Sequence, residues 1–207
     1  RKHGAYAAGE IQRSEEMAVA VTTQRTGTVV VVDDQAAVAD LYVDWLATDH
    51  DVTSVHDGET ALVVIDDSVD VVLLDRHMPG LSGDEVLDRL REQEIRTRII
   101  MVTAVDPDLG ILEMPFDDYL SKPVDREDLH TAVDQQCQVL AYDLLGEYFQ
   151  FAATRGVAAA ELGNGDTHDR LAEIEAELDG LESRVRGLLP EAADLLDAFG
   201  EIDRQGY

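Results

Sequence analysis

The stretch "DVVLLDRHMPGLSGDE", Asp70 to Glu85, constrains the fold more than any other part of the chain. Val71 to Leu74 are four consecutive apolar residues, so both faces of that short segment are apolar. A half-solvated strand would alternate instead. A run this brief, with a turn pair close behind it, reads as a strand covered on both sides. It ends on a lone carboxylate, Asp75, followed by Arg76, His77, Met78 and Pro79-Gly80. A carboxylate closing a buried strand needs a reason.

The same punctuation recurs along the chain. "TVVVV", starting at Thr28, exits into Asp33-Asp34, and "DVTSV" exits into "HDG". "RIIMVT" exits at Thr103-Ala104, and "DYLS" exits at Lys122-Pro123. Helical spacings fill the gaps: Val38, Leu41, Tyr42 and Trp45 fall at i, i+3, i+4 and i+7, with a shorter set at Ala61, Leu62 and Ile65. Ser82 and Glu85 stand in capping-box spacing ahead of Val86, Leu87 and Leu90. Asp125 is placed to cap a long helix, with Val124 and Leu129 as its hydrophobic staple. The alternation predicts an α/β fold, a five-stranded parallel sheet with helices on each face. Ligands of such sheets sit beyond the carboxyl ends of the strands.

Three carboxylates, one hydroxyl and one ammonium leave the strands there. Hard oxygen donors suit Mg²⁺, which takes one or two carboxylates plus a phosphate. A lysine supplies a compact counter-charge, and a threonine hydroxyl can bond a phosphoryl oxygen. A centrally held aspartate can act as nucleophile and become an acyl phosphate. Taken singly, Asp33-Asp34 reads better as a helix cap, Thr103 as a β-branched strand end, and Asp75 as a turn cap. Lys122 resists that treatment, because the chain has only two lysines. His77 has no second His or Cys at useful spacing, so its side chain is read as a non-ligand. The joint order of all these positions outweighs the single readings.

"VVVVDDQ", "VVLLDRHMPGLSGDE", "VTA" and "DYLSKP" together closely resemble the receiver domain of two-component response regulators, over about residues 28–125. The resemblance implies a flavodoxin-like doubly wound sheet. It implies that Asp75 accepts a phosphoryl group from a sensor histidine kinase. Asp33, Asp34, Asp75 and the backbone carbonyl of His77 would hold Mg²⁺. Thr103 with the adjoining Ala104, Lys122 and the aromatic Tyr119 would be the phosphate-binding and switch positions. On this reading the chain is no enzyme in its own right but a phosphoacceptor that assists its own phosphotransfer and dephosphorylation. One departure stands out: Pro107, Gly110 and Pro115 leave room for about one turn of helix between Thr103 and Tyr119. Receivers usually place a longer helix there, so that output face is in doubt.

Charge narrows the partners. The chain carries 44 acids against 16 bases, a net charge of −28. It would repel nucleic acid phosphates at low salt. Its acidic, lysine-poor composition resembles proteins of salt-loving microbes, where molar salt shortens screening to about 3 Å. One cysteine, Cys137, excludes an internal disulfide and suits a reducing cytoplasm. No apolar run approaches a membrane span. Residues 1–27 lack a clear apolar period and read as a loose lead, with Met17 as a candidate start and no good signal peptide.

Residues 126–207 read as helical. The long helix is expected to run to about Thr154, with a break across "RGVAAAELGNGDT". Leu171, Ile174, Leu178, Leu181, Val185 and Leu188 then form a seam at spacings of 3 and 4, weakened by Gly180 and Gly187 and ended by Pro190. An amphipathic tail follows through Leu195, Leu196, Phe199 and Ile202. Two antiparallel helices after a receiver in so acidic a chain resemble the HalX domain of haloarchaeal response regulators. A hairpin packing on itself and an intermolecular coil are about equally compatible with the seam.

The leading expectation is a phosphorylation-switched regulator whose helices act through a protein partner or self-association. A DNA-binding regulator is disfavoured, since residues 125–207 hold six bases against 19 acids and no basic recognition helix. A metal-dependent phosphohydrolase ranks last. Phosphatases of the haloacid dehalogenase type need an acid two residues after the nucleophile, where this chain has Gln35 and His77.

Overall fold

The computed structural model describes residues 27–104, 114–160 and 166–204. Strand and helix alternate as β1 (Thr28–Val32), α1 (Ala36–Leu46), β2 (Asp51–Val55), α2 (Gly58–Val64), β3 (Val71–Asp75), α3 (Gly83–Glu92), β4 (Arg98–Thr103) and β5 (Asp118–Ser121). All pairings are parallel, in the flavodoxin-like order β2-β1-β3-β4-β5. The order reverses between β1 and β3, which opens a crevice at their carboxyl ends. Asp33 and Asp75 stand at those two exits.

The uninterrupted apolar runs follow from two buried faces. Val29, Val31, Val71, Leu73, Ile100 and Val102 point into one core. Their neighbours Val30, Val32, Val72, Leu74, Ile99 and Met101 point into the other. On α1 the buried face is Ala39, Tyr42 and Leu46, while Leu41 remains 43 % exposed. The expected stripe is therefore displaced toward Ala39 and Leu46, with Val38 and Trp45 only partly buried at its edge, because the sheet meets the helix along the 3- and 4-residue spacings from Ala39.

The α4 helix (Arg126–Ala160) runs unbroken for 35 residues. Asp125 accepts the Asp128 N–H at 2.9 Å, and Leu129 is fully buried, as a capped and stapled start requires. Thr154 does not end the helix. Its hydroxyl donates to the Gln150 carbonyl at 2.9 Å, and three alanines carry the helix on to Ala160. The first turns lay Leu129, Val133 and Cys137 on the sheet. Farther along, Leu140, Leu144 and Tyr148 pack with Ile174, Leu178, Leu181 and Val185 of α5 (Asp166–Leu188). The expected seam is thus buried within the chain, from Ile174 to Leu188. The tail is a further packed helix rather than an appendage. After a 3₁₀ turn at Pro190–Ala192, α6 (Ala193–Arg204) returns to the bundle. Leu196 is buried, and Phe199 meets Phe149 edge-on at 4.7 Å.

Sheet and helical bundle share one continuous core, joined by α4, which starts at Arg126 and runs from the sheet into the bundle without a break. Ion pairs reinforce the join at the amino ends of the strands. Asp70, only 6 % exposed, accepts Arg184 at 2.6 Å and the Thr28 N–H at 2.8 Å. Arg96 pairs with Glu147 and Arg98 with Asp143. Residues 1–26 with Met17, the segment 105–113 with Pro107 and Gly110, and residues 161–165 within the expected break lie outside the described residues. Among the described residues, no helix is long and apolar enough to cross a membrane.

Candidate functional site

Asp33 leaves β1 already committed on both oxygens. Oδ1 accepts the Gln35 N–H at 2.9 Å, turning the chain into α1, and Oδ2 accepts from Lys122 Nζ at 2.7 Å. Its local role as a turn-former and its place in the cluster therefore coexist. Lys122 is aimed inward by the end of β5, where its N–H donates to the Thr103 carbonyl at 2.7 Å. The same ammonium lies 3.2 Å from Asp75 Oδ1. Asp33 and Asp75 are 2 % and 5 % exposed, whereas Asp34 stands open at the rim.

The electrostatics follow from that crowding. Burial raises the Asp75 carboxyl above the usual carboxylate range, and the nearby Asp33 charge adds to it. Lys122 and the His77 backbone N–H act the other way without cancelling the rise. Burial alone would lower Lys122, but its hydrogen bond to Asp33 and the charges of Asp75 and Asp33 leave it raised and firmly protonated. Tyr42, beneath the site on α1, is pushed up chiefly by burial.

Asp33, Asp34 and Asp75 each offer a carboxylate oxygen within 4.8 Å of the others. One ammonium cannot balance three acids held that close. The donor set is all hard oxygen and retains an open side, so it fits a divalent cation of the Mg²⁺ kind. Thr103 is fully buried at the neighbouring strand exit, with Ala104 exposed beside it. Tyr119 sits half-buried on β5, in register with Met101 and with its ring 6.2 Å from that of Phe116. The His77 side chain is exposed.

Some of the site's scaffolding escapes sequence reasoning. A Cβ at Gly83 would stand 2.2 Å from the Asp75 carbonyl oxygen, so only glycine allows α3 to abut the end of β3. The Gly83 N–H closes the intervening loop on the Arg76 carbonyl at 3.0 Å. Arg76 also braces it, with Nε 3.1 Å from both Asp84 oxygens. His56 Nδ1 lies 3.2 Å from the Asp33 carbonyl. Nothing but the "SG" pair ahead of the helix hinted at the close approach. Gly83→Ala is expected to cost about 2 kcal/mol in urea unfolding through forced backbone displacement. An unchanged midpoint would mean that the loop yields freely.

Comparisons with known proteins agree with this geometry. Residues 29–134 match the family profile of the response regulator receiver domain. A "Putative transcriptional regulator" of Haloferax volcanii is 39% identical over 179 residues, which is 85% of this chain and 30% of that protein. "Transcriptional regulatory protein CpxR" of Escherichia coli strain K12 is 42% identical over 105 residues, covering 48% of this chain and 44% of that protein. The chain thus spans less than half the length of either relative. Among solved structures, the signal receiver domain of a LuxO repressor protein from Vibrio parahaemolyticus superposes with a TM-score of 0.56 at 26% identity, covering 59% of this chain and 98% of that one.

Proposed function

Because this chain belongs to the response regulator receiver domain family, we propose that it is a two-component response regulator whose Asp75 is the phosphoacceptor. The observation that carries this reading is the burial of Asp75 at the carboxyl edge of β3, within reach of Lys122 and two further acids. The donor is a phosphohistidine on a sensor kinase. An Asp75 oxygen attacks phosphorus, the P–N bond breaks, a P–O bond forms, and the kinase imidazole leaves with the bonding pair and takes up a proton. Asp33, Asp34, Asp75 and the His77 carbonyl hold Mg²⁺, which when bound supplies positive charge to the transferring phosphoryl group. Lys122 balances the added negative charge. The Thr103 hydroxyl and the Ala104 N–H bond the phosphoryl oxygens, and Tyr119 shifts its ring as Thr103 moves. The protein acts in the cytoplasm as a switched acceptor rather than as an enzyme turning over an external substrate.

The helical region is read as a HalX-like output domain of the haloarchaeal type. Support comes from the Haloferax volcanii match, which at 179 residues extends well past the receiver. Output runs through a protein partner or through self-association of these helices. The names of the relatives favour a second reading, a regulator that binds DNA. The acidity of residues 125–207 opposes contact through this chain's own helices, and a gel shift in molar KCl separates the two.

Intact mass after incubation with acetyl phosphate and Mg²⁺ in molar KCl tests the central claim. One added phosphoryl group is expected in wild type and none in Asp75→Asn. A folded wild type that gains no mass would sink the phosphoacceptor reading.

A further inference from the structure

The residue unit of Asp33 is bracketed by residues that leave β2. The Asp33 N–H donates to the Val55 carbonyl at 3.2 Å, and the Asp33 carbonyl faces His56 Nδ1 at 3.2 Å. A carbonyl can only accept, so Nδ1 carries the proton in this contact. The contact matters because the first two acids of the site are held in different ways. Asp33 is fixed through its own side chain, with Oδ1 on the Gln35 N–H and Oδ2 on Lys122. Asp34 has no such anchor: it is exposed, and among the described residues nothing bonds its carboxylate. Its aim is therefore set by the backbone, and first by the Asp33–Asp34 peptide, whose carbonyl His56 holds. A turn of that peptide about the soft dihedrals beside it would swing Asp34 relative to Asp33 and Asp75. The imidazole is not itself a member of the cluster, which among the described residues consists of Asp33, Asp34 and Asp75.

We propose that His56 is a positioning residue for the divalent cation site, acting through the Asp33–Asp34 peptide and not on the ion. This rests on the reading of the three acids as a Mg²⁺ site. Mg²⁺ demands near-ideal octahedral geometry, so it tolerates little play in its ligands. An exposed carboxylate loses freedom when an ion immobilises it, and a peptide already fixed lowers that cost. Losing a partner that orients a metal ligand weakens a site about 10–100-fold. Here the bond falls on the backbone behind the ligand, one step farther from the ion, so about fivefold is expected. Without the imidazole, water satisfies the Asp33 carbonyl but does not fix it. The neighbouring turn does not need the imidazole, because Asp57 caps α2 by itself, accepting the Thr60 N–H at 2.7 Å.

Calorimetric titration of MgCl₂ into the full chain in molar KCl tests it, with wild type, His56→Leu and His56→Asn. Leucine keeps a branched side chain but has no donor. Asparagine places an amide N–H where Nδ1 stands, one bond beyond Cγ. His56→Leu is expected to weaken Mg²⁺ binding about fivefold, and His56→Asn to restore it to within about twofold of wild type. Melting temperatures of the three metal-free chains should agree within about 2 °C, as for other exposed positions. With acetyl phosphate as donor, the Mg²⁺ concentration for half-maximal phosphorylation should rise in His56→Leu in the same proportion. The rate at saturating Mg²⁺ should stay that of wild type, which a general loss of structure would not allow. Equal Mg²⁺ affinity in all three chains, or an asparagine no better than leucine, would overturn the proposal while leaving the metal site in place. A wild type that binds no Mg²⁺ would overturn the metal reading and the proposal with it.

Discussion

Lys122→Met is expected to cost about 3 kcal/mol at neutral pH, because removing one partner of a buried ion pair strands the other. Here it strands two carboxylates, Asp33 at 2.7 Å and Asp75 at 3.2 Å. The pH dependence gives the test its direction. The Asp75 carboxyl is already raised by burial, and Lys122 is the principal group holding it down. Without the ammonium it rises further. A carboxyl raised in the folded state favours folding at acid pH, and that contribution is lost as pH climbs through its folded pKa. The deficit of the variant should therefore be largest near pH 7 and shrink as pH falls toward the ordinary carboxylate range. On the proposed function, Mg²⁺ should also restore much of it, by about 2.7 kcal/mol at a hundredfold excess over Kd. Urea unfolding of both chains in molar KCl, across pH and with or without Mg²⁺, reads all three effects. A deficit equal at every pH would instead assign Lys122 a packing role through its aliphatic stem.

Much of this was legible in the sequence because two different physical demands coincided. Strands buried on both faces must be apolar throughout, so Val71–Leu74 and Ile99–Val102 announced themselves without periodicity analysis. A carboxylate ending one such strand reads singly as a cap, but the joint order of Asp33, Asp75 and Lys122 at successive strand ends marks a single edge of the sheet. What the sequence hid was anything set by shape or by partners. Leu41 looked as good a core residue as Tyr42, since only the sheet decides which side of α1 faces inward. Gly83 looked like an ordinary helix start, since the carbonyl that forbids a side chain there comes from Asp75, eight residues back. The α5 seam was found, but its partner was not, because an apolar a/d repeat reads the same whether it closes within a chain or between chains.

That last ambiguity has a thermodynamic consequence. Leu181 is 5 % exposed on α5 and belongs to the same core as Val29, Val71 and Ile100 of the sheet. If the bundle were an independent module, Leu181→Ala would destabilise the helices alone and split unfolding into two steps. A shared core predicts otherwise. Truncation should cost about 3 kcal/mol from lost burial and cavity formation. At about 2–4 °C per kcal/mol for a chain of this size, the midpoint should fall by roughly 6–12 °C. The fall should appear equally in the fluorescence of Trp45, which reports α1 of the receiver, and in the helical circular dichroism that α4 and α5 dominate. Trp45 is the only tryptophan, so the optical signal has a single origin. Coincident transitions in both probes would mean that receiver and helices fold as one cooperative unit. A phosphoryl group at one edge of the sheet would then act on the far bundle through a rigid helix and a common core, with no linker to relay the change. Separated transitions, with Trp45 melting at its wild-type temperature, would mean that α4 joins two units mechanically but not thermodynamically.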